Sequence, residues 1–170
     1  MKRFLCILLV LTLIPLSAIA TQKEKAMELI DVLTKEELTK TPKGMHHYLL
    51  ICMDSWGAKL SNLSFSDGMV LLTIDEGTGR VMVTSLIRDM LVMHPDGAPG
   101  RLTYIAKEFG VPALVETISL HFGIEIEKYI LMDWSQVQSI VDACGGVRLN
   151  VTNAEASYLR RYAIAPTSTV

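Results

Sequence analysis

The chain has 170 residues, of which half are hydrophobic and a fifth are charged, with 16 Lys and Arg against 18 Asp and Glu. This length suits one domain, and this composition allows a packed core and argues against disorder. The slightly acidic balance, without a basic patch or an Arg-rich stripe, makes nucleic acid a poor candidate partner.

The N-terminus has the three parts of a secretory signal peptide. Lys2 and Arg3 form a basic start, residues 4–14 are apolar but for one threonine, and residues 18–20 form an A-x-A cleavage pattern. The apolar run is shorter than the ~20 residues that a bilayer-spanning helix needs. We therefore predict an exported protein with a signal peptide over residues 1–20. An uncleaved membrane anchor is the alternative.

Hydrophobic periodicity predicts the elements that follow. Residues 22–40 are polar with apolar residues at helical spacing, which predicts an amphipathic helix within an N-terminal helical segment over residues 21–44. Runs rich in Val, Ile and Leu predict strands at about 46–53, 69–75, 80–87, 128–133 and 147–151.

Two further helices are predicted in the second half of the chain. One begins at Pro112 and is stopped by Gly123. The other follows Asp133, which can cap it together with Gln136, and stops at Gly145. The order of these elements predicts an α/β fold, a three-layer sandwich with a central mixed β-sheet flanked by helices.

Two smaller features complete the pattern. The prolines and glycines between His94 and Gly100 predict a surface loop beside the site. Cys52 and Cys144 both lie in apolar contexts, which favours two buried free thiols. A disulfide between them is the alternative in an exported protein.

Charged residues stand at the ends of the first three predicted strands. Asp54 follows the first, Asp67 precedes the second, and Arg88 and Asp89 follow the third. Charges delivered to the ends of neighbouring strands can converge at one edge, where carboxylates can hold Mg²⁺ and a guanidinium can grip phosphate. The plainer interpretation is a turn or cap residue at Asp67 and a solvated ion pair between Arg88 and Asp89.

From about His46 to Val151 the sequence resembles the LytR-CpsA-Psr family, the envelope-polymer ligases also called cell-envelope-related transcriptional attenuators. The resemblance rests on four stretches in this order: LLICMDSWG, SDGMVLLTIDEGTGRVMVTSLIRDM, GVPALVETISLHFGIEIEKYILMDW and IVDACGGVRLNV. It implies a mixed sheet between helices and a hydrophobic pocket for a lipid. It also implies a transferase that moves a polymer from an undecaprenyl-pyrophosphate carrier onto peptidoglycan.

The resemblance assigns roles to five residues. Asp54 and Asp67 match aspartates expected to ligate Mg²⁺ beside the pyrophosphate, and both are catalytic candidates together with Arg88 and Asp89. Arg88 is the expected phosphate contact, and Arg101, where the family usually has lysine, is a second. The implied partners are a polyprenyl-pyrophosphate-linked glycopolymer, peptidoglycan and the membrane surface, which places the protein in the cell envelope.

The chain departs from the family pattern at several positions. Phe65 stands where the family often has Arg, and Thr103 where it has Asn. The family domain continues to an Arg-x-Arg pair, whereas Arg160 and Arg161 are adjacent, so we expect residues 45–170 to match only the front part of that domain, incomplete at the C-terminus. Two alternatives stay open: a catalytically inactive polyprenyl-phosphate or envelope-binding module, and a metal-dependent lipid pyrophosphatase.

Overall fold

The computed structural model describes Lys25, residues 30–55 and residues 64–162. The predicted signal peptide, residues 1–20, lies outside this range. Within the described ranges, no helix combines the length and the apolar character needed to span a bilayer.

Six strands and four helices have their bounds within the described ranges, and the single described residue Lys25 is also helical. The strands are β1 (Met45–Met53), β2 (Ser66–Asp75), β3 (Arg80–Leu86), β4 (Leu91–Met93), β5 (Pro99–Arg101) and β6 (Lys128–Met132), and the helices are α1 (Leu102–Phe109), α2 (Val111–Phe122), α3 (Trp134–Ala143) and α4 (Asn153–Arg161). The chain consists of two compact units, with the boundary between Val137 and Gln138. The first unit contains all six strands with α1 and α2.

The main sheet of the first unit has the strand order β3-β2-β1-β6. β2 pairs antiparallel with both β1 and β3, whereas β6 pairs parallel with β1. A parallel pair needs a crossover connection, and α1 and α2 lie in the connection that leads to β6. The predicted mixed sheet flanked by helices is therefore confirmed.

The core of the first unit lies between one face of the sheet and the helices α1 and α2. Alternate residues of β1 and β2 face it, as expected for strands with one buried face. Its fully buried side chains include Leu49, Ile51, Met69, Leu102, Ile105, Leu114 and Ile118. As predicted, α2 has a proline in its first turn and ends at Gly123, whose left-handed φ of 64° suits a residue without Cβ.

The ladder between β1 and β2 contains one irregularity. Cys52 pairs with Gly68 but Met53 pairs with Ser66, so Asp67 is the extra residue of a β-bulge. Without the bulge, Asp67 would stand opposite the buried Met53 and its carboxylate would point toward the core. The bulge places the small Ser66 in the buried position instead and lets Asp67 face away from the core.

The helix predicted over residues 22–40 is wrong for residues 30–40, which form no helix and contain a single turn. The backbone N–H of Leu33 donates to the carbonyl of Leu120 in α2, and the carboxylate of Glu37 accepts from the N–H and hydroxyl of Thr34. Lys35 also pairs with Glu116 of α2 at 2.8 Å. These contacts occupy donors that a helix would have used, so tertiary packing overrides the periodicity.

The strand predicted at residues 147–151 is also wrong, because these residues form no ladder with any described strand. They belong to the second unit, of which residues 138–162 are described. Helix α4, which the sequence analysis missed, follows them. It begins with a capping box in which Thr152 and Glu155 each satisfy a backbone N–H of the other.

The predicted surface loop between His94 and Gly100 is the turn of a tight hairpin between β4 and β5, and residues 95–97 are exposed. His94 is buried, and its Nε2–H donates to the carbonyl of Arg101 at 3.1 Å. A Cβ on Gly100 would lie 2.5 Å from the imidazole ring, so this strand position requires glycine. The hairpin ends directly at α1, which the sequence analysis also missed.

His47 links β1 to β2 and should make the stability of the fold depend on pH. The residue is 9% exposed, and its Nδ1 lies 2.8 Å from the hydroxyl of Thr73. Burial lowers the pKa of His47, the charge of Glu127 opposes that shift, and His46 adds to it. Because the unfolded chain binds this proton more readily, stability is full above a pH of about 6.5 and falls as the pH drops below it.

We therefore expect urea midpoints at pH 7.5 and 5.5 to differ less in His47→Gln than in the wild type. His46→Gln, which replaces the more exposed neighbouring ring, should leave most of the difference in place, because burial is the largest cause of the shift. An equal pH dependence in His47→Gln and the wild type would contradict this assignment.

Candidate functional site

Three strand ends deliver charged residues to one edge of the sheet. Asp54 directly follows β1, Asp67 lies at the start of β2, and Arg88 and Asp89 follow β3. Because β2 runs antiparallel to both neighbours, the end of β1, the start of β2 and the end of β3 share this edge. The structure therefore brings together the charged residues that the sequence predicted there.

An alternating chain of charges crosses the site. Nη1 of Arg88 lies 2.7 Å from Oδ1 of Asp67, and Nε of Arg88 lies 3.7 Å from Oδ2 of Asp89. Nη1 of Arg101 donates to Oδ1 of Asp89 at 3.3 Å. The pKa of Arg88 is raised, first by its hydrogen bond to Asp67 and then by the charges of Asp67 and Asp89. Exposed pairs of this kind add little stability, so their main effect is to orient the arginines.

Backbone contacts hold Asp54 beside the start of β2. The N–H of Asp54 donates to the carbonyl of Phe65 at 2.8 Å, and the hydroxyl of Ser64 donates to the carbonyl of Asp54 at 2.8 Å. Among the described residues, the carboxylate of Asp54 accepts only a long hydrogen bond of 3.5 Å, from the indole of Trp134. It is exposed and accessible to a ligand.

A second set of backbone contacts ties Arg101 to Arg88. The first N–H groups of α1 have no carbonyl partner within the helix. The N–H of Leu102 donates to the carbonyl of Met90 at 2.9 Å, and the N–H of Thr103 donates to the carbonyl of Arg88 at 3.0 Å. These bonds take the place of a side-chain cap, which Arg101 at the N-cap does not supply.

All five predicted site residues line one cavity of about 260 Å³. Its lining consists of Asp54, Phe65, Asp67, Arg88, Asp89, Arg101, Thr103 and Tyr104. Sites for drug-sized ligands span about 300–1,000 Å³, so this cavity suits a small charged group. Two further cavities, of about 270 and 450 Å³, lie against α2 and include none of the five residues.

The donor set of the cavity is compatible with a magnesium ion only if a ligand supplies further oxygens. Within the described ranges, no group of three or more His, Cys, Asp or Glu side chains could hold a metal ion. Mg²⁺ commonly takes one or two carboxylates with substrate phosphate oxygens and water. Asp54 and Asp67 fit that pattern, although Asp67 is already paired with Arg88. The buried hydroxyl of Thr103 has no hydrogen-bond partner in the described part of the chain.

Three neighbours of the cavity were missed as functional candidates. Phe65 was noted only as a departure, yet its ring lines the cavity and packs edge-on against Tyr104 at 5.3 Å. Nζ of Lys107 lies 4.1 Å from the centre of the Phe65 ring. Three residues follow one another along α1 at intervals of three, starting from its N-cap: Arg101, Tyr104 and Lys107. This spacing would have grouped them if α1 had been recognised in the sequence.

Cys52 and Cys144 are both free thiols in the structure. Cys144 is exposed rather than buried, which corrects one part of that expectation. Cys52 is partly buried, and its pKa is raised first by burial and then by the charges of Asp67, Asp133 and Asp54. The pKa of the Cys52 thiol therefore depends on the negative charge at this edge of the sheet.

The comparisons with known proteins agree with one family. A model described as the LytR_cpsA_psr family matches residues 16–165. The chain is 33% identical over 102 residues to the polyisoprenyl-teichoic acid–peptidoglycan teichoic acid transferase TagU of Oceanobacillus iheyensis, covering 56% of this chain and 31% of that protein. It is 30% identical over 95 residues to the biofilm regulatory protein A of Streptococcus mutans, covering 52% of this chain and 23% of that protein. The chain thus spans a third or less of the length of these relatives.

Solved structures agree on the fold. Protein gbs0355 from Streptococcus agalactiae superposes with a TM-score of 0.56 at 24% identity and covers 63% of this chain and 39% of that one. TagT with bound octaprenyl pyrophosphate lipid superposes with a TM-score of 0.56 at 18% identity. The match covers 75% of this chain and 51% of that one. At these identities the likeness shows the fold alone.

Replacing Asp67 by Asn should make Cys52 react faster with iodoacetamide. Removing one nearby negative charge lowers the pKa of the thiol, and only the thiolate is a nucleophile. We expect a faster rate at pH 8 in Asp67→Asn, read by peptide mass mapping with Cys144 as internal reference. The exposed Asp31→Asn is the matched control. An unchanged Cys52 rate would show that the Asp67 carboxylate does not act on this edge.

Proposed function

The chain belongs to the LytR_cpsA_psr family, and we propose that it helps to transfer a glycopolymer from a polyprenyl pyrophosphate carrier to peptidoglycan in the cell envelope. Relatives named as teichoic acid transferases support the glycopolymer and the peptidoglycan. A neighbour described with bound octaprenyl pyrophosphate supports the carrier. The signal-like N-terminus supports a location on the outer side of the cytoplasmic membrane.

One observation in the structure carries the proposal. The guanidinium of Arg88 is held by Asp67 and Asp89 where three strands end. It lines a small cavity that Arg101 also lines. Guanidinium groups bind phosphate oxygens in pairs, and a phosphate can compete for Arg88 with the exposed carboxylate of Asp89, which lies 3.7 Å from Nε. A pyrophosphate group is therefore the ligand that this arrangement fits best.

In the proposed reaction, a hydroxyl group of the acceptor attacks the phosphorus atom that carries the glycopolymer. A new oxygen–phosphorus bond forms, the bond from that phosphorus to the bridging oxygen breaks, and polyprenyl monophosphate leaves. A carboxylate of the cavity takes the proton of the attacking hydroxyl, and Arg88 and Arg101 balance the charge on the phosphate oxygens.

Asp54 and Asp67 are the residues that would hold Mg²⁺ in this scheme. The ion would supply charge neutralisation at the pyrophosphate oxygens. Asp89 has a different part, because it lies within 3.7 Å of one guanidinium and within 3.3 Å of the other. It positions Arg88 and Arg101 so that both forks face the same volume.

The alternatives differ from this proposal in their products. A lipid pyrophosphatase would use water as acceptor and release the glycopolymer as a phosphate monoester beside polyprenyl monophosphate. An inactive binding module would retain the lipid without turnover. A glycopolymer joined to peptidoglycan in a purified assay would support the transferase and contradict both alternatives.

Calorimetric titration with farnesyl pyrophosphate, with and without Mg²⁺, tests the site. We expect the wild type to bind more tightly with Mg²⁺. Asp67→Asn removes a charged oxygen from a hard-cation ligand, and Arg88→Lys keeps the charge but loses the fork. Each should weaken binding by about tenfold or more, which corresponds to the loss of one charge-assisted contact of ~1.5–3 kcal/mol.

Matched controls are available outside the cavity. Asp31→Asn and Arg80→Lys make the same chemical changes at exposed positions and should leave the affinity unchanged. Equal binding by the wild type and Asp67→Asn, or no effect of Mg²⁺, would show that the proposed site is wrong.

A further inference from the structure

The cavity lacks enough positive charge for the ligand proposed above. Asp54, Asp67 and Asp89 contribute three carboxylates, whereas Arg88 and Arg101 contribute two guanidinium groups, so one negative charge is in excess. A pyrophosphate diester is a dianion at neutral pH. Even with one Mg²⁺ held by the carboxylates, the cavity and the ligand together stay one positive charge short. A further cation near the cavity would close this gap.

Lys107 is the candidate for this further cation, because it lies against the cavity lining. Its Nζ lies 4.1 Å from the centre of the Phe65 ring, and that ring forms part of the cavity lining. Cations rest on aromatic faces because the ring face carries partial negative charge. The ammonium group of the exposed Lys107 therefore rests on a ring that lines the cavity.

The contact between Lys107 and Phe65 belongs to a row of cations and rings along α1, from Arg101 at its N-cap to Lys107 in its last turn. Phe65 packs against Tyr104, and Cζ of Arg101 lies 5.9 Å from the centre of the Tyr104 ring. Two cations are thus held on two adjoining rings beside the same cavity. One of them, Arg101, already lines it.

Lys107 is also free to leave its ring. Among the described residues, no carboxylate forms an ion pair with Lys107, whereas Lys35, another exposed lysine, pairs with Glu116 at 2.8 Å. A lysine side chain has a flexible stem, and a single exposed cation–π contact is weak. An incoming phosphate oxygen can therefore outcompete the ring for the ammonium group. An ordinary solvated surface lysine is the plainer interpretation of Lys107.

We propose that Lys107 is a further pyrophosphate-binding residue, kept beside the cavity by the face of Phe65 and transferred to a phosphate oxygen when the ligand enters. This inference rests on the proposed function, because it assigns one more contact to the same ligand. It gives Phe65 a role as the aromatic support of that cation.

Titration of the full chain with inorganic pyrophosphate and Mg²⁺ tests the inference. Lys107→Met keeps the length of the stem and removes the charge, so we expect about tenfold weaker binding. Lys107→Arg should retain most of the affinity, since it also presents a cation to the ring. Phe65→Leu should weaken binding to a smaller degree, and Phe65→Tyr should not. Lys43→Met, at an exposed position outside the cavity, is the control.

Salt dependence separates a charge contact from a structural effect. The difference between the wild type and Lys107→Met should shrink as the salt concentration rises, because screening weakens a charge contact. If Lys107→Met binds like the wild type while Arg88→Gln binds weakly, the role of Lys107 is refuted and the proposed function stands. If the wild type itself does not bind pyrophosphate with Mg²⁺, both fail.

Discussion

The β-bulge at Asp67 is the constraint on which the site depends. In a regular antiparallel ladder this carboxylate would face the buried side of the sheet beside Met53, where an unpaired charge is strongly unfavourable. The bulge adds one residue to β2 and turns Asp67 to the other face, within 2.7 Å of Arg88. Asp54 follows Met53 at the same edge. Without this irregularity, Asp67 would not join Asp54 and Arg88 at the common cavity.

The parts of the structure that follow from local rules were predictable from the sequence. The strands β1 to β3 alternate or run apolar over a typical strand length, and Pro112 and Gly123 mark the ends of α2. The cap at Asp133 was also predictable from the spacing of Asp133 and Gln136 in the sequence. In the structure the carboxylate of Asp133 accepts from the N–H of Gln136, and the N–H of Asp133 donates to the side chain of Gln136. Charges beside such elements, notably Asp54, could then be placed at one sheet edge.

The parts that depend on contacts between distant segments were not predictable. The bulge is a property of the pairing between two strands, and Gly68 beside it is only a weak local signal of it. Helix α1 is short and is capped by the carbonyls of Met90 and Arg88, so it lacks the usual starting signal and Lys107 went unnoticed. Residues 147–151 have the composition of a strand, but a strand forms only with a neighbour to pair with.

The central claim is that Asp54, Asp67 and Arg88 form one site for a divalent cation and a pyrophosphate group. A crystal structure with Mn²⁺ in place of Mg²⁺ and with a short-chain polyprenyl pyrophosphate tests it most directly. We predict an anomalous peak between the carboxylates of Asp54 and Asp67, with pyrophosphate oxygens on the metal and on Arg88. A metal bound elsewhere, or a pyrophosphate group that does not contact Arg88, would contradict the claim.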